Sequence, residues 1–422
     1  MLQDACTSSF YGWRVVSAAF VLAVFGLGIG FYGPPIFLNA VQEARGWSLL
    51  LVSSAVTTHF LIGAVVTAKL PTLYARWGLA KVTRFGAISM ALGVIGWAVA
   101  SQPWHLFTAA ALSGAGWVTM GVAAINAMVS PWFVRARPAA LAVAYNGANL
   151  GGVIFAPLWA TGIASFGFTL TAATIGTATV AVVWILANRV LSKTPEMLGT
   201  RPDGDAPGAS ATLRGSDLAR PLPGASLWRN RKFQTLAVGT ALGLFAQIGL
   251  LAHLYSLLVP TLGGQAAGLA MGATTALAVL GRTLIGWFMP PACDRRLLAA
   301  ASYGLQVGGS FAFLAAQGTS VPLTIAALLM FGLAFGNGTW LPPLIAQVEF
   351  AAEEVQHVVA LVVAVSQGAY AFAPASFGLI RDLSDHVVVH LGTAPALFVT
   401  AALIQGLAAS VFLIGRARPE PI

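Results

Sequence analysis

Acidic residues are scarce in this chain. There are 13 Asp and Glu in 422 residues against 22 Lys and Arg, and charged residues of all kinds make up only 8%. A soluble globular domain carries roughly 25% charged residues, so this sequence cannot build a surface that faces water. Cysteine is nearly missing as well. Cys6 and Cys293 are the only two, with no zinc spacing and no disulfide framework. No pair of metal ligands shares a helix, and neither a phosphate-cradling Gly-rich loop nor a Gly-x-Ser-x-Gly elbow occurs. ATP-driven transport and the common membrane-enzyme chemistries therefore have no support, and neither an enzyme nor a cofactor is expected. The net charge of +9 would point to nucleic acid in a soluble protein. Here the bases sit in short loops between apolar runs, as orientation signals do, which excludes that partner.

What is present is apolar length: 58% of residues are hydrophobic, so the solvent must largely be lipid. The 46 Gly and 12 Trp fit such a solvent, since small residues let membrane helices approach closely and indoles settle at the interface. Runs of about 20 apolar residues, the length that crosses a hydrocarbon core, recur at 13–41, 49–71, 82–100, 104–128, 138–163 and 168–191. They resume at 233–258, 267–289, 297–316, 321–345, 358–380 and 394–414. The first run is longer than a signal-peptide core and lacks a clear cleavage site, so it reads as a retained helix.

The expected class is an all-α membrane protein of twelve transmembrane helices, in two six-helix bundles at 1–191 and 233–422. The segment 192–232 between them, rich in Pro, Gly, Ser and Asp, reads as a surface linker. Arg76, Lys81, Arg84, Arg135, Arg137, Arg295, Arg296, Arg416 and Arg418 fall on the linker's side, while Arg45 and Arg381 fall opposite. The positive-inside rule then places the linker and both termini in the cytoplasm. A weak internal repeat supports two halves. Gly114 and Gly116 precede Trp132-Phe133 as Gly332 and Gly336 precede Glu349-Phe350. Asn146-Gly147-Ala148 with Phe155-Ala156-Pro157 matches Gln367-Gly368-Ala369 with Phe372-Ala373-Pro374. Such symmetry serves alternating-access carriers, which bind substrate near midplane where the halves meet.

Arg282 stands inside the eighth run. A guanidinium there carries a permanent charge and costs at least about 2.5 kcal/mol to place centrally, so it should face the interior with an anionic partner. All 13 acidic residues fall in loops, tails or helix ends. An unpaired buried cation invites an external anion, and a carboxylate suits the bidentate geometry of Arg. The competing reading is an Arg that snorkels to the surface near Met289. His253 reads equally as a group that bonds substrate or carries a proton and as a structural His; counted along its helix it sits well above Arg282, with Gln247 closer to that level. Tyr32, Asn146, Asn149, Asn337, Trp340, Gln367 and Tyr370 are polar or aromatic groups at membrane depth, candidates for the path or for interhelical hydrogen bonds. His59 is a weaker candidate of the same kind. Prolines 34, 35, 342 and 343 mark places where the backbone can break or kink.

These residues resemble the major facilitator superfamily, and within it the monocarboxylate transporter-like branch with its bacterial relatives of the oxalate:formate type. Phe10-Tyr11-Gly12-Trp13 is similar to the branch's Gly-Trp opening of helix one, and Gly46-Trp47-Ser48 to the start of helix two in bacterial members. Trp132-Phe133-Val134-Arg135-Ala136-Arg137 with Leu141-Ala142 and Asn146-Gly147 resembles its helix four-to-five signature. Gly281-Arg282 with Gly286 resembles the helix-eight segment whose Arg binds the substrate carboxylate. The resemblance implies the major facilitator fold and alternating access. It implies a small monocarboxylate or organic anion as substrate with Arg282 as its ligand, and a monomer in a bacterial inner membrane. Arg76, Gly78, Arg135 and Arg137 are the implied gating residues.

The chain also departs from the pattern. The superfamily's Asp-Arg-x-Gly loop reads Ala75-Arg76-Trp77-Gly78, the second-half counterpart reads Pro290, and the Asp one turn before the helix-eight Arg of proton-coupled animal members is Ala278. Uniport, anion exchange, or a symport in which His253 or the acid itself carries the proton stays open, with a proton or counter-anion as the second solute. Drug or metabolite efflux through the same fold is the alternative within the class, and a non-transporting membrane sensor the alternative outside it.

Overall fold

The computed structural model describes residues 10–204, 225–290, 293–387 and 394–416. The middle of the linker, with Arg214, Arg220, Asp205 and Asp217, lies outside them, as do Cys6, Asp4, Arg418 and Glu420. Twelve described helices are long and apolar enough to cross a membrane. In the first half these are α1 (Tyr11–Arg45), α2 (Leu49–Trp77), α3 (Leu79–Val99), α4 (Pro103–Trp132), α5 (Ala139–Phe166) and α6 (Phe168–Leu191). In the second they are α7 (Arg231–Leu262), α8 (Gly264–Phe288), α9 (Arg295–Ala316), α10 (Val321–Glu349), α11 (His357–Ser384) and α12 (Pro395–Ile414). Helix α2 runs six residues beyond its apolar stretch, to Trp77, because its last turns carry polar side chains that are exposed at the membrane edge.

Several helices are broken near mid-depth. In α1 the helix stops at Gly30 and restarts at Pro34, where Pro-Pro suits a helix start. Helix α4 passes through a short 3-10 turn at Val118–Met120, α10 breaks at Gly336, and α11 breaks between Tyr370 and Ala373. Irregular backbone at that depth is tolerated only where protein covers it or water fills a cavity beside it.

The internal repeat has a packing basis. A Cβ on Gly114 of α4 would overlap the carbonyl of His59 in α2, and one on Gly336 of α10 would overlap the carbonyl of Ala278 in α8. The paired glycines do the same work in each half, letting two backbones touch.

Between the halves, contact runs from mid-depth to the end remote from the linker. There the second piece of α1 lies along α7, α5 lies along α8, and the part of α11 beyond its break lies along α2. Asp382 Oδ2 accepts from the Leu50 amide at 2.9 Å, and Thr57 Oγ1 accepts from the Ala375 amide at 3.1 Å. A carboxylate on the first amides of a 29-residue helix is favoured by the positive end of the helix dipole. On the linker side of the α11 break the two helices meet through Phe60 and Tyr370 and then part. The α2–α11 seam is therefore closed at the far end and open toward the linker.

Candidate central binding site

The break in α1 delivers Tyr32 to the centre. Its ring and the methyl of Thr275 fill the space a Cβ on Gly152 would need, at 2.7 and 2.8 Å, so α1, α5 and α8 converge here only because residue 152 has no side chain. Tyr32 lies against Thr275 and close enough to Arg282 to interact electrostatically. Arg282 sits two turns beyond Thr275 toward the linker, half-buried.

No described carboxylate serves Arg282. Glu349 is bound to Arg296, Asp294 to Arg416, Asp203 to the α4–α5 loop, Asp382 to the start of α2 and Glu43 to Asn39. Among the described residues this guanidinium has Tyr32 as its electrostatic neighbour and no acceptor of its own.

Aromatic rings close the space above it. Phe31 meets Tyr32 edge-on at 5.1 Å, Phe60 meets Phe31 at 6.1 Å, and Tyr370 meets Phe60 at 6.2 Å. Gln367 lies one turn before Tyr370 on α11. Beside the rings a small apolar hollow is lined by Phe31, Pro35, Val56 and Phe60 from the first half and Ile248, Leu251 and Ala252 from the second. On the linker side the Trp340 indole lies over Gly286, one turn past Arg282. Helices α5 and α8 run antiparallel with Ala160 against Gly268 and Gly152 against Thr275. Continued two turns toward the linker, the same stagger brings Asn146 to the level of Arg282, with Asn149 between.

Three of the expected site residues lie elsewhere. Gln247 is buried and its Nε2 donates to the Phe335 carbonyl at 2.8 Å; Asn337 is buried and its Nδ2 donates to Ser302 Oγ at 3.1 Å. Both tie helices inside the second half. His253 is fully buried, with Nε2 3.0 Å from the Pro374 carbonyl just past the α11 break. The ring thus ties α7 to the first turn of the α11 segment that follows the break. His59 is engaged at both nitrogens, with Ser113 Oγ at 2.9 Å and the Gly30 carbonyl at 2.8 Å, again at a helix break. Thr275, Phe31 and Phe60 belong to the centre although nothing in their apolar surroundings singles them out in sequence.

The expected gating residues are at the linker end. Arg76 stacks on Trp77 at 5.6 Å, Gly78 takes φ +79° before α3, and Arg137 Nε donates to the Phe133 carbonyl at 3.0 Å. Asp203, from the first part of the linker, accepts from the amides of Val134, Arg135 and Ala136 at 3.1, 2.8 and 3.2 Å, with Arg135 Nε 3.8 Å away. Partial burial opposes ionisation of this carboxyl, but the three amides and the Arg135 charge outweigh it and hold the group below its ordinary range. A carboxyl depressed on folding contributes above its unfolded value and loses that contribution as pH falls through the folded one. Docking of residues 194–204 is expected to persist at neutral pH and to loosen below about pH 4, read as faster hydrogen exchange at the Val134 to Ala136 amides. Asp203→Asn should give the loosened pattern at every pH; unchanged protection in that variant would remove the carboxylate from the account.

Residues 18–374 match the family described as Major Facilitator Superfamily. The chain belongs to that superfamily. As a superfamily member it is a transporter and not an enzyme. It is 26% identical over 385 residues to human monocarboxylate transporter 11, covering 88% of this chain and 70% of the relative, and 25% identical over 244 residues to the mouse protein of the same name, covering 55% and 48%. Among solved structures, the nucleoside transporter NupG superposes with a TM-score of 0.71 at 10% identity, over 96% of this chain and 98% of that one. A bacterial homolog of the human lysosomal transporter Spinster, inward-facing and unoccupied, superposes with a TM-score of 0.67 at 16% identity, over 98% and 100%. At such identities the superpositions establish the superfamily fold and leave the solute to the site itself.

Proposed function

We propose that this superfamily member carries a small organic monocarboxylate across the cytoplasmic membrane by alternating access, acting as a monomer with its linker and termini in the cytoplasm. The observation that carries the reading is Arg282, half-buried at the centre and without a protein carboxylate among the described residues. A guanidinium so placed is completed by a carboxylate from solution. Tyr32 stands near it as a hydroxyl partner, and Asn146, Asn149, Trp340, Gln367 and Tyr370 surround the approach. The relatives named monocarboxylate transporter support the same substrate class.

The seam open toward the linker is then the inward-facing state. The described acids lie near helix ends or in loops, which favours facilitated flux or exchange against a counter-anion over carboxylate-mediated proton symport. Uptake of a radiolabelled panel of small carboxylates into proteoliposomes, with and without a pH gradient, tests the reading. Saturable carboxylate flux supports it; flux confined to apolar, uncharged solutes overturns it in favour of efflux of such compounds.

The same state is latched by Asp382 on the start of α2. Asp382→Asn removes a charge–dipole contact worth about 0.3–1 kcal/mol, a few-fold shift toward the outward-open state. Spin-label distances across the far ends of α2 and α11 should lengthen in part of the population; an unchanged distribution would leave Asp382 without a latching role.

A further inference from the structure

The linker-side ends of the two halves differ in how they treat their bases. In the second half four cations are held by protein acceptors: Arg296 by Glu349, Arg416 by Asp294, Arg295 by the Leu344 carbonyl and Arg231 by the Ile414 carbonyl. In the first half, the start of α1 and the start of α3 both pack on the end of α6, the three ends marking out a triangle. That triangle carries Arg14, Lys81, Arg84, Arg189 and Lys193, and no described carboxylate pairs with any of them. Arg14 and Lys193 both face the ring of Tyr11, 5.8 and 5.3 Å from its centroid. Arg84 lies 5.1 Å from the centroid of Trp184 and donates to Asn188 Oδ1 at 2.8 Å. Glu196, three residues past Lys193, is exposed and engaged with Thr194.

Two features make this patch more than an orientation signal. Arg14, Lys81 and Arg84 sit in the opening turns of α1 and α3, neither of which has an acid in its first turn. Cations there oppose the helix dipole, an arrangement that an anion would reverse. The patch also faces lipid: Trp184 is 44% and Ile185 52% exposed next to it, which gives an anion's hydrocarbon tails an apolar wall beneath the charges.

We propose that the α1–α3–α6 corner is a binding site for an anionic phospholipid of the linker-side leaflet, with Arg14, Arg84 and Lys193 holding the headgroup phosphate and Trp184 and Ile185 lining its acyl chains. Basic pockets between membrane helices on the cytoplasmic side recognise such headgroups. The site lies away from Arg282 and does not rest on the substrate assignment.

The test is titration of the full chain in detergent with phosphatidylglycerol, phosphatidylcholine or inorganic phosphate, with bound lipid counted by native mass spectrometry. Phosphatidylglycerol should bind in preference to phosphatidylcholine and resist competition by phosphate. Arg14→Gln/Arg84→Gln/Lys193→Gln should lower its affinity by on the order of a hundredfold. Arg201→Gln/Arg229→Gln/Lys232→Gln, which removes the same charge elsewhere on the linker side, should change it little. As a guard against misfolding of the first triple, the single Arg14→Gln and Lys193→Gln variants, each on an exposed side chain, carry the same prediction at about fivefold each. Equal binding of the two lipids, equal loss in both triples, no loss in the single variants, or displacement by phosphate alone would each overturn the assignment.

Discussion

Arg282→Gln is expected to abolish saturable carboxylate uptake, and Arg282→Lys to leave no more than a small fraction of it. The side chain is half-buried near Tyr32, where a charged hydrogen-bonded pair is stronger than in open water. Removing one partner of such a pair costs about 2–5 kcal/mol, a fall of about thirtyfold to several thousandfold in affinity. Gln keeps hydrogen-bonding capacity and loses the charge; Lys keeps the charge and loses the planar fork that meets two carboxylate oxygens at once. Tyr32→Phe should act in the same direction and more weakly, since it removes one hydroxyl and keeps the ring that packs on Phe31. The check is initial uptake rate against carboxylate concentration in proteoliposomes. Wild-type rates in Arg282→Gln would show that this guanidinium is a snorkelling side chain.

Glu349→Gln is expected to destabilise the second half by about 3–5 kcal/mol, the cost of leaving a buried charge without its counter-ion. Arg296 is 2% exposed and makes two parallel bonds to Glu349, Nε to Oε1 at 2.6 Å and Nη2 to Oε2 at 2.8 Å. Its remaining donors reach Thr235 Oγ1 at 2.9 Å and the Lys232 carbonyl at 2.8 Å. One side chain thereby ties the start of α9 to the end of α10 and the start of α7. The exposed Arg416–Asp294 pair, 2.6 Å long and about two-fifths exposed on both sides, is the control. Arg416→Gln should cost no more than about 1 kcal/mol. Apparent unfolding temperatures of purified protein compare the two. A Glu349→Gln variant as stable as Arg416→Gln would mean that water reaches Arg296 and takes the place of the carboxylate.

Span existence was legible in sequence because lipid imposes one requirement along the chain: about 20 apolar residues for every crossing. The ends were less legible. The last turns of α2 and α10 carry polar residues that an apolar window rejects, yet their backbone continues as helix to Trp77 and Glu349. An inward position for Arg282 could be anticipated, since a permanent charge in an apolar run has few tolerable positions; Tyr32 as its neighbour could not. The partners of His253, Gln247 and Asn337 could not. An amide or imidazole at membrane depth needs a partner in any fold, and whether that partner is a substrate or a carbonyl or hydroxyl of a neighbouring helix depends on which helix lies opposite. Asp382 illustrates the same limit: in sequence it is an acid near a helix end, and only the crossing of α11 over the start of α2 brings it to the Leu50 amide.

By itself the sequence determined the solvent, the twelve crossings and the repeat of small residues that lets backbones touch, because each depends on local composition summed over a turn or a span. Tertiary structure alone decided which polar groups meet, which bases find carboxylates and which end of the α2–α11 seam is closed. Those outcomes are set by contacts between residues from about 35 to more than 300 positions apart, and no local free energy in the chain records them.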